Sequence, residues 1–137
     1  MIRVAGLAHV GIAVRSIDAA VRVWAGTLGF RHTDTVDFPS MMLRIAFLRG
    51  GSAELELLEP THADSPVGRF LAKRGEGLHH LSFLVPDLEK ALKEAEAAGL
   101  DLIDRSPREG GHETKIAFLS PRGLNGVLVE LCERRET

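Results

Sequence analysis

The chain has 137 residues, the size of one ordinary domain, and folding should bury roughly 70% of the surface exposed by the unfolded chain. Its 45% hydrophobic and 26% charged residues, with a formal charge of −2, exclude disordered and fibrous classes and give no reason to expect nucleic acid or a membrane surface as partner. Cys132 stands alone and makes no internal disulfide, and no apolar run nears the ~18 residues of a membrane span, so a cytoplasmic domain is expected.

In chain order, period-two alternation predicts a strand over Leu7 to Val14. A helix follows over Ala19 to Leu28, with Ser16 or Asp18 as cap and Gly29 as stop. Strands are expected near Arg31 to Val36, Met41 to Arg49 and Ala53 to Leu58, the last two joined at Gly50-Gly51. A short connector helix begins at Ser65-Pro66 and runs to about Lys73, its Val67, Phe70 and Leu71 needing burial. The grammar then repeats. A strand spans His79 to Val85, a helix capped by Asp87 runs from Leu88 to Ala98, and strands lie near Asp101 to Ser106, Thr114 to Leu119 and Gly126 to Leu131.

The repetition extends to the residues themselves. LAHVGIAVRSID (Leu7 to Asp18) lies over LHHLSFLVPDLE (Leu78 to Glu89) at an offset of 71 residues, with His9 over His80. RIAFL (Arg44 to Leu48) lies over KIAFL (Lys115 to Leu119) at the same offset. ELELLE (Glu54 to Glu59) lies over LVELCE (Leu128 to Glu133) at 74, with Glu56 over Glu130. We therefore read one α+β domain made of two βαβββ modules, about 5–60 and 77–133, with a connector at about 61–76. Together they form a curved eight-stranded mixed sheet around a metal site.

Alternation sorts side chains by face. Val10, Ile12 and Val14 share a helix-packing face, as do Leu81, Phe83 and Val85, with His79 among the latter as a structural histidine. His9, Glu56, His80 and Glu130 fall on the opposite faces of their strands. Two imidazoles and two carboxylates without a thiolate suit an open octahedral divalent ion better than a closed structural zinc. Taking Ile45, Phe47, Ile116 and Phe118 as the packed set leaves Arg44 and Lys115 beside the ligands, where cations would receive an anionic substrate. His112, in the Gly110-Gly111-His112 loop, is a candidate substrate contact.

Paired βαβββ modules with ligands at matched positions resemble the vicinal oxygen chelate superfamily. The strings ELLEPTHADSPVGRFLAKRGEGLHHLSFLVPDLEKAL (Glu56 to Leu92) and LIDRSPREGGHETKIAFLSPRGLNGVLVELCE (Leu102 to Glu133) are similar to the methylmalonyl-CoA epimerase family within it. The resemblance implies metal ligands at His9, Glu56, His80 and Glu130 and a divalent ion, Co2+ first, with Mn2+, Ni2+, Zn2+ or Mg2+ as alternatives. It also implies an acyl-CoA substrate epimerised at C2, and a homodimer. One departure is visible: Asp34 to Leu43 reads DTVDFPSMML, where the family usually carries an acidic, glycine-containing loop.

The chemistry that follows is proton abstraction alpha to a thioester, which needs Lewis-acid help for the enolate and a positioned base. Glu130 is the first choice of base and Glu56 its partner. The other readings are a glyoxalase-I-like metal-dependent isomerase and a small-molecule-sequestering protein of the resistance type.

Overall fold

The computed structural model describes residues 1–135. The first module runs β1 (Gly6–Ala13), α1 (Ile17–Trp24), β2 (Arg31–Phe38), a 3₁₀ turn at Pro39–Met41, β3 (Leu43–Gly50) and β4 (Ala53–Pro60). After α2 (Pro66–Arg74) come β5 (Gly77–Leu84), α3 (Leu88–Ala97), β6 (Arg108–Glu109), β7 (Thr114–Leu119) and β8 (Val129–Arg134). The strands form one mixed eight-stranded sheet in the order β2-β3-β4-β1-β5-β8-β7-β6. By its contacts the chain divides into two compact units, one of His9–His79 and one of Met1–Ala8 with the chain from His80 onward.

In the His9–His79 unit, β1 pairs with β4 in parallel, while β2 with β3 and β3 with β4 pair antiparallel. Ile17, Ala20, Val21 and Trp24 give α1 an apolar stripe at i, i+3, i+4, i+7. That stripe packs on Val10, Ile12, Ala46, Leu48, Leu55 and Leu57. Ser16 starts the helix by accepting from Ala19 N at 3.1 Å. The helix ends at Trp24, earlier than expected, because Gly26 N and Leu28 N turn back to Val21 O and Val23 O. Ser65 caps α2 by accepting from Gly68 N at 3.0 Å, with Pro66 in the first turn. Val67 and Leu71 of α2 pack on Ala13, Leu43, Ile45, Phe47 and Leu58, so β3 is buried on both faces.

The other unit repeats the plan. Strand β5 pairs with β8 in parallel, and β6 with β7 and β7 with β8 pair antiparallel. Leu88, Ala91, Leu92 and Ala95 are all buried on the sheet side of α3, at the spacing used by α1 and at the 71-residue offset. Each fully buried leucine of this kind contributes roughly 1.5–3 kcal/mol.

Two strands differ from expectation. The strand expected at Asp101 to Ser106 reduces to a single bridge, Leu102 with Leu119, and to β6 further along. Here the Asp104 carboxylate accepts from Phe118 N at 2.8 Å, taking the donor that a ladder carbonyl would use, and Pro107 has no N–H to offer. Strand β8 begins at Val129 rather than Gly126, because turn bonds from Leu124 N and Gly126 N to Pro121 O and from Val127 N to Leu124 O hold the chain back. Asn125 and Gly126 in that turn have φ of 59° and 80°. In the first module, the glycine-less stretch before β3 bends at Met42, whose φ is 55°.

Candidate functional site

Strand register places the candidate ligands. Gly11 lies opposite Glu56 in the β1–β4 pair, and Ser82 lies opposite Glu130 in the β5–β8 pair. His9 and His80 each sit two residues earlier on the same face. In the His9–His79 unit, His9 Nδ1 is 3.0 Å from Glu56 Oε2, with the side chains 11% and 16% exposed. In the other unit, His80 Nε2 is 3.8 Å from Glu130 Oε2, with both side chains buried. The second distance exceeds a hydrogen bond. Glu130 is instead held through its other oxygen, since Ser82 Oγ donates to Oε1 at 2.7 Å. The first module has Gly11 where Ser82 stands, so Glu56 has no such hydroxyl and is engaged by His9.

Aromatic rings complete each environment. Phe47 is opposite Glu56 and Phe118 opposite Glu130, so both share the carboxylate face. Phe118 meets the His80 ring edge-to-face at 5.4 Å between centroids. Sequence alternation alone had these phenylalanines on the far side.

That reversal also corrects Arg44 and Lys115. Arg44 is opposite Glu59 and Ala46 is opposite Leu57, which places Arg44 on the α1 face, away from Glu56. It pairs there with Glu59 at 3.2 Å and Asp37 at 3.3 Å. Lys115 is opposite Glu133, on the α3 face rather than the Glu130 face. The partners explain the repeat: Glu59 Oε1 accepts from Ile17 N at 2.9 Å, and Glu133 Oε1 accepts from Leu88 N at 2.8 Å. Each module thus sets a carboxylate on the first turn of its helix, with a cation across the strand from it.

His112 occupies an exposed turn with φ of 52°. His79 is a packing histidine, as expected: its ring stands 5.0 Å from Phe70 of α2, and burial lowers its pKa from 6.5 to about 4. Sequence reading passed over Ser82 as a partner of Glu130, although Ser82 follows His80 by two residues on the same strand. It also passed over Arg108, whose guanidinium lies 5.5 Å above the Phe118 ring. No pattern in the sequence marks that contact, which depends on β6 pairing with β7.

Residues 8–118 match the Glyoxalase/Bleomycin resistance protein/Dioxygenase superfamily. The chain belongs to that superfamily. Within it, this glyoxalase-superfamily chain is 50% identical over 129 residues to the uncharacterized protein YqjC of Bacillus subtilis strain 168, covering 93% of this chain and 91% of that one. It is 34% identical to the ethylmalonyl-CoA/methylmalonyl-CoA epimerase of Cereibacter sphaeroides, covering 91% and 95%. Among solved structures, a variant of Streptomyces coelicolor methylmalonyl-CoA epimerase in complex with 2-nitronate-propionyl-CoA matches with a TM-score of 0.93 at 35% identity, covering 98% of this chain and 100% of that one. The superfamily fold expected from the repeat is thereby established, and the chain's relatives include methylmalonyl-CoA epimerases.

Proposed function

We propose that this chain is a methylmalonyl-CoA epimerase, interconverting the 2R and 2S epimers, with His9, His80 and Glu130, and Glu56 beside His9, as donors to one divalent cation. The observation that carries the reading is the repeat-related couple of imidazole and carboxylate, His9 with Glu56 and His80 with Glu130, in a chain with epimerase relatives. Donors sharing one ion at about 2.1 Å lie roughly 3–4 Å apart, a spacing both couples satisfy. The nitrogen and oxygen set admits Co2+, Mn2+, Ni2+, Zn2+ or Mg2+, and the family resemblance favours Co2+.

A divalent ion held there supplies Lewis-acid stabilisation of the charge that develops when C2 loses its proton. Glu130 removes that proton. Ser82 holds Oε1 and so fixes the plane of the carboxylate, while Oε2 is the oxygen nearer His80. Epimerisation requires proton exchange at both faces of C2, and Glu56, oriented by His9, is the second group. His112 serves as a contact for the acyl-CoA. The proposal includes a homodimer, which the family resemblance supports, and a cytoplasmic location.

The test is incubation of apo-protein plus one divalent metal with (2S)-methylmalonyl-CoA in D₂O. Deuterium at C2 and the 2R epimer are expected, with Glu130→Gln slower by ~10²–10⁴-fold. No C2 deuterium and no epimer with any of these metals would sink the reading.

A further inference from the structure

With Arg44 and Lys115 on the helix faces, the Glu130 face needs another cation if it is to receive an acid. Arg108 of β6 lies opposite Ile116, and Ile116 lies opposite Cys132, two residues from Glu130 on the same face. The Arg108 guanidinium stacks over Phe118, and the same ring abuts His80. One aromatic ring therefore separates the cation from the imidazole. Asp104 braces the group: its Oδ2 lies 3.4 Å from Arg108 Nε and also accepts from Phe118 N. The Arg108 side chain is 44% exposed, and among the described residues Asp104 is its ion-pair partner, on the Nε edge. A guanidinium fixed along one edge and open along its terminal nitrogens is arranged to receive a planar anion in bidentate fashion.

We propose that Arg108 is the specificity-determining residue of this site, binding the free carboxylate of a malonyl-type acyl thioester. The acyl carboxylate is favoured over the CoA phosphates because it lies two bonds from the reacting carbon, whereas the phosphates lie at the far end of the pantetheine arm. The identity of the acyl group rests on the epimerase reading. The selection of a carboxylate by Arg108 is tested without turnover.

The experiment is calorimetric binding of malonyl-CoA and acetyl-CoA, and of malonyl- and acetyl-pantetheine, to wild type, Arg108→Gln and Arg108→Lys. Wild type is expected to prefer the malonyl member of each pair by about 10–100-fold. Arg108→Gln erases that preference in both pairs, and Arg108→Lys keeps part of it. An unchanged malonyl-to-acetyl ratio in Arg108→Gln overturns the proposal. So does a loss confined to CoA thioesters and equal for malonyl and acetyl, which would assign Arg108 to a phosphate. Arg108→Met, which retains an apolar stem over Phe118, gives the same comparison if Arg108→Gln folds poorly. Deuterium exchange at C2 by wild type reports on the epimerase reading separately: an Arg108-dependent malonyl preference without exchange upholds this proposal and removes that one.

Discussion

Ser82 donates its hydroxyl to Glu130 Oε1 across 2.7 Å, with the two residues 0% and 4% exposed. A buried carboxylate costs several kcal/mol unless it is paired or hydrogen-bonded, so this contact is part of how Glu130 is tolerated inside the sheet. It also restricts the carboxylate to one orientation. Ser82→Ala is expected to cost about 1.5–3 kcal/mol in urea unfolding and to weaken divalent-metal binding by about 10–100-fold. Metal titration of the folded variant checks the second effect, and unchanged affinity would deny Ser82 its orienting role.

Metal removal should be visible in stability. An ion present at about 100 times its dissociation constant adds about 2.7 kcal/mol, so chelation is expected to lower Tm on the order of 5–10 °C. Restoring Co2+ should recover the difference in wild type and not in a His9→Ala, His80→Ala double variant. Thermal melts with and without chelator decide it; an identical Tm in both would argue against a divalent site.

Glu59 and Glu56 are close in sequence but on opposite faces, and they should separate cleanly. Glu59→Gln removes the carboxylate that accepts from Ile17 N and pairs with Arg44, and is expected to cost about 1–2 kcal/mol while leaving metal affinity unchanged. Glu56→Gln is expected to weaken metal binding. Arg44→Met, at a pair that is partly exposed, should cost less than about 1 kcal/mol and leave KM unaltered. A raised KM in Arg44→Met would contradict the register-based face assignment.

His79 carries a pH dependence. Burial holds its pKa near 4 in the folded chain, against 6.5 when exposed. The unfolded chain therefore takes up this proton first on acidification. The stability contributed by neutral, packed His79 is full above about pH 6.5 and is lost as the pH falls toward 4, by up to about 3 kcal/mol. Equilibrium unfolding at several pH values, for wild type and His79→Gln, should show a shallower slope in the variant between pH 6.5 and 4. Parallel curves would remove His79 as the source.

Met42 sits in the left-handed region with φ of 55°, a conformation that costs an L-residue roughly 1–2 kcal/mol and glycine little. Met42→Gly is expected to raise stability by about 1 kcal/mol, read as a higher urea midpoint. A lower midpoint would show that the Met42 side chain contributes more through packing than its backbone loses.

The sequence by itself determined the repeat, the caps at Ser65 and Asp87, the helix stripes, and the faces of their strands on which His9 and Glu56, and His80 and Glu130, lie. Those follow from local chemistry and from alternation on strands whose two faces differ in polarity: Glu56 against Leu55 and Leu57, or His80 and Ser82 against Leu81 and Phe83. Strands β3 and β7 offer no such contrast. Ala46 and Leu48 are buried as deeply as Ile45 and Phe47, so the pattern RIAFL has the same apolar content on either side. Only pairing with β4 and β8 showed that Phe47 and Phe118 belong with the carboxylates, and Arg44 and Lys115 with the helices. The Ser82 contact to Glu130 and the Arg108 contact to Phe118 were likewise decided by tertiary structure. Each joins residues on different strands, and cross-strand register is set by the packing of the whole sheet rather than by any local run of residues.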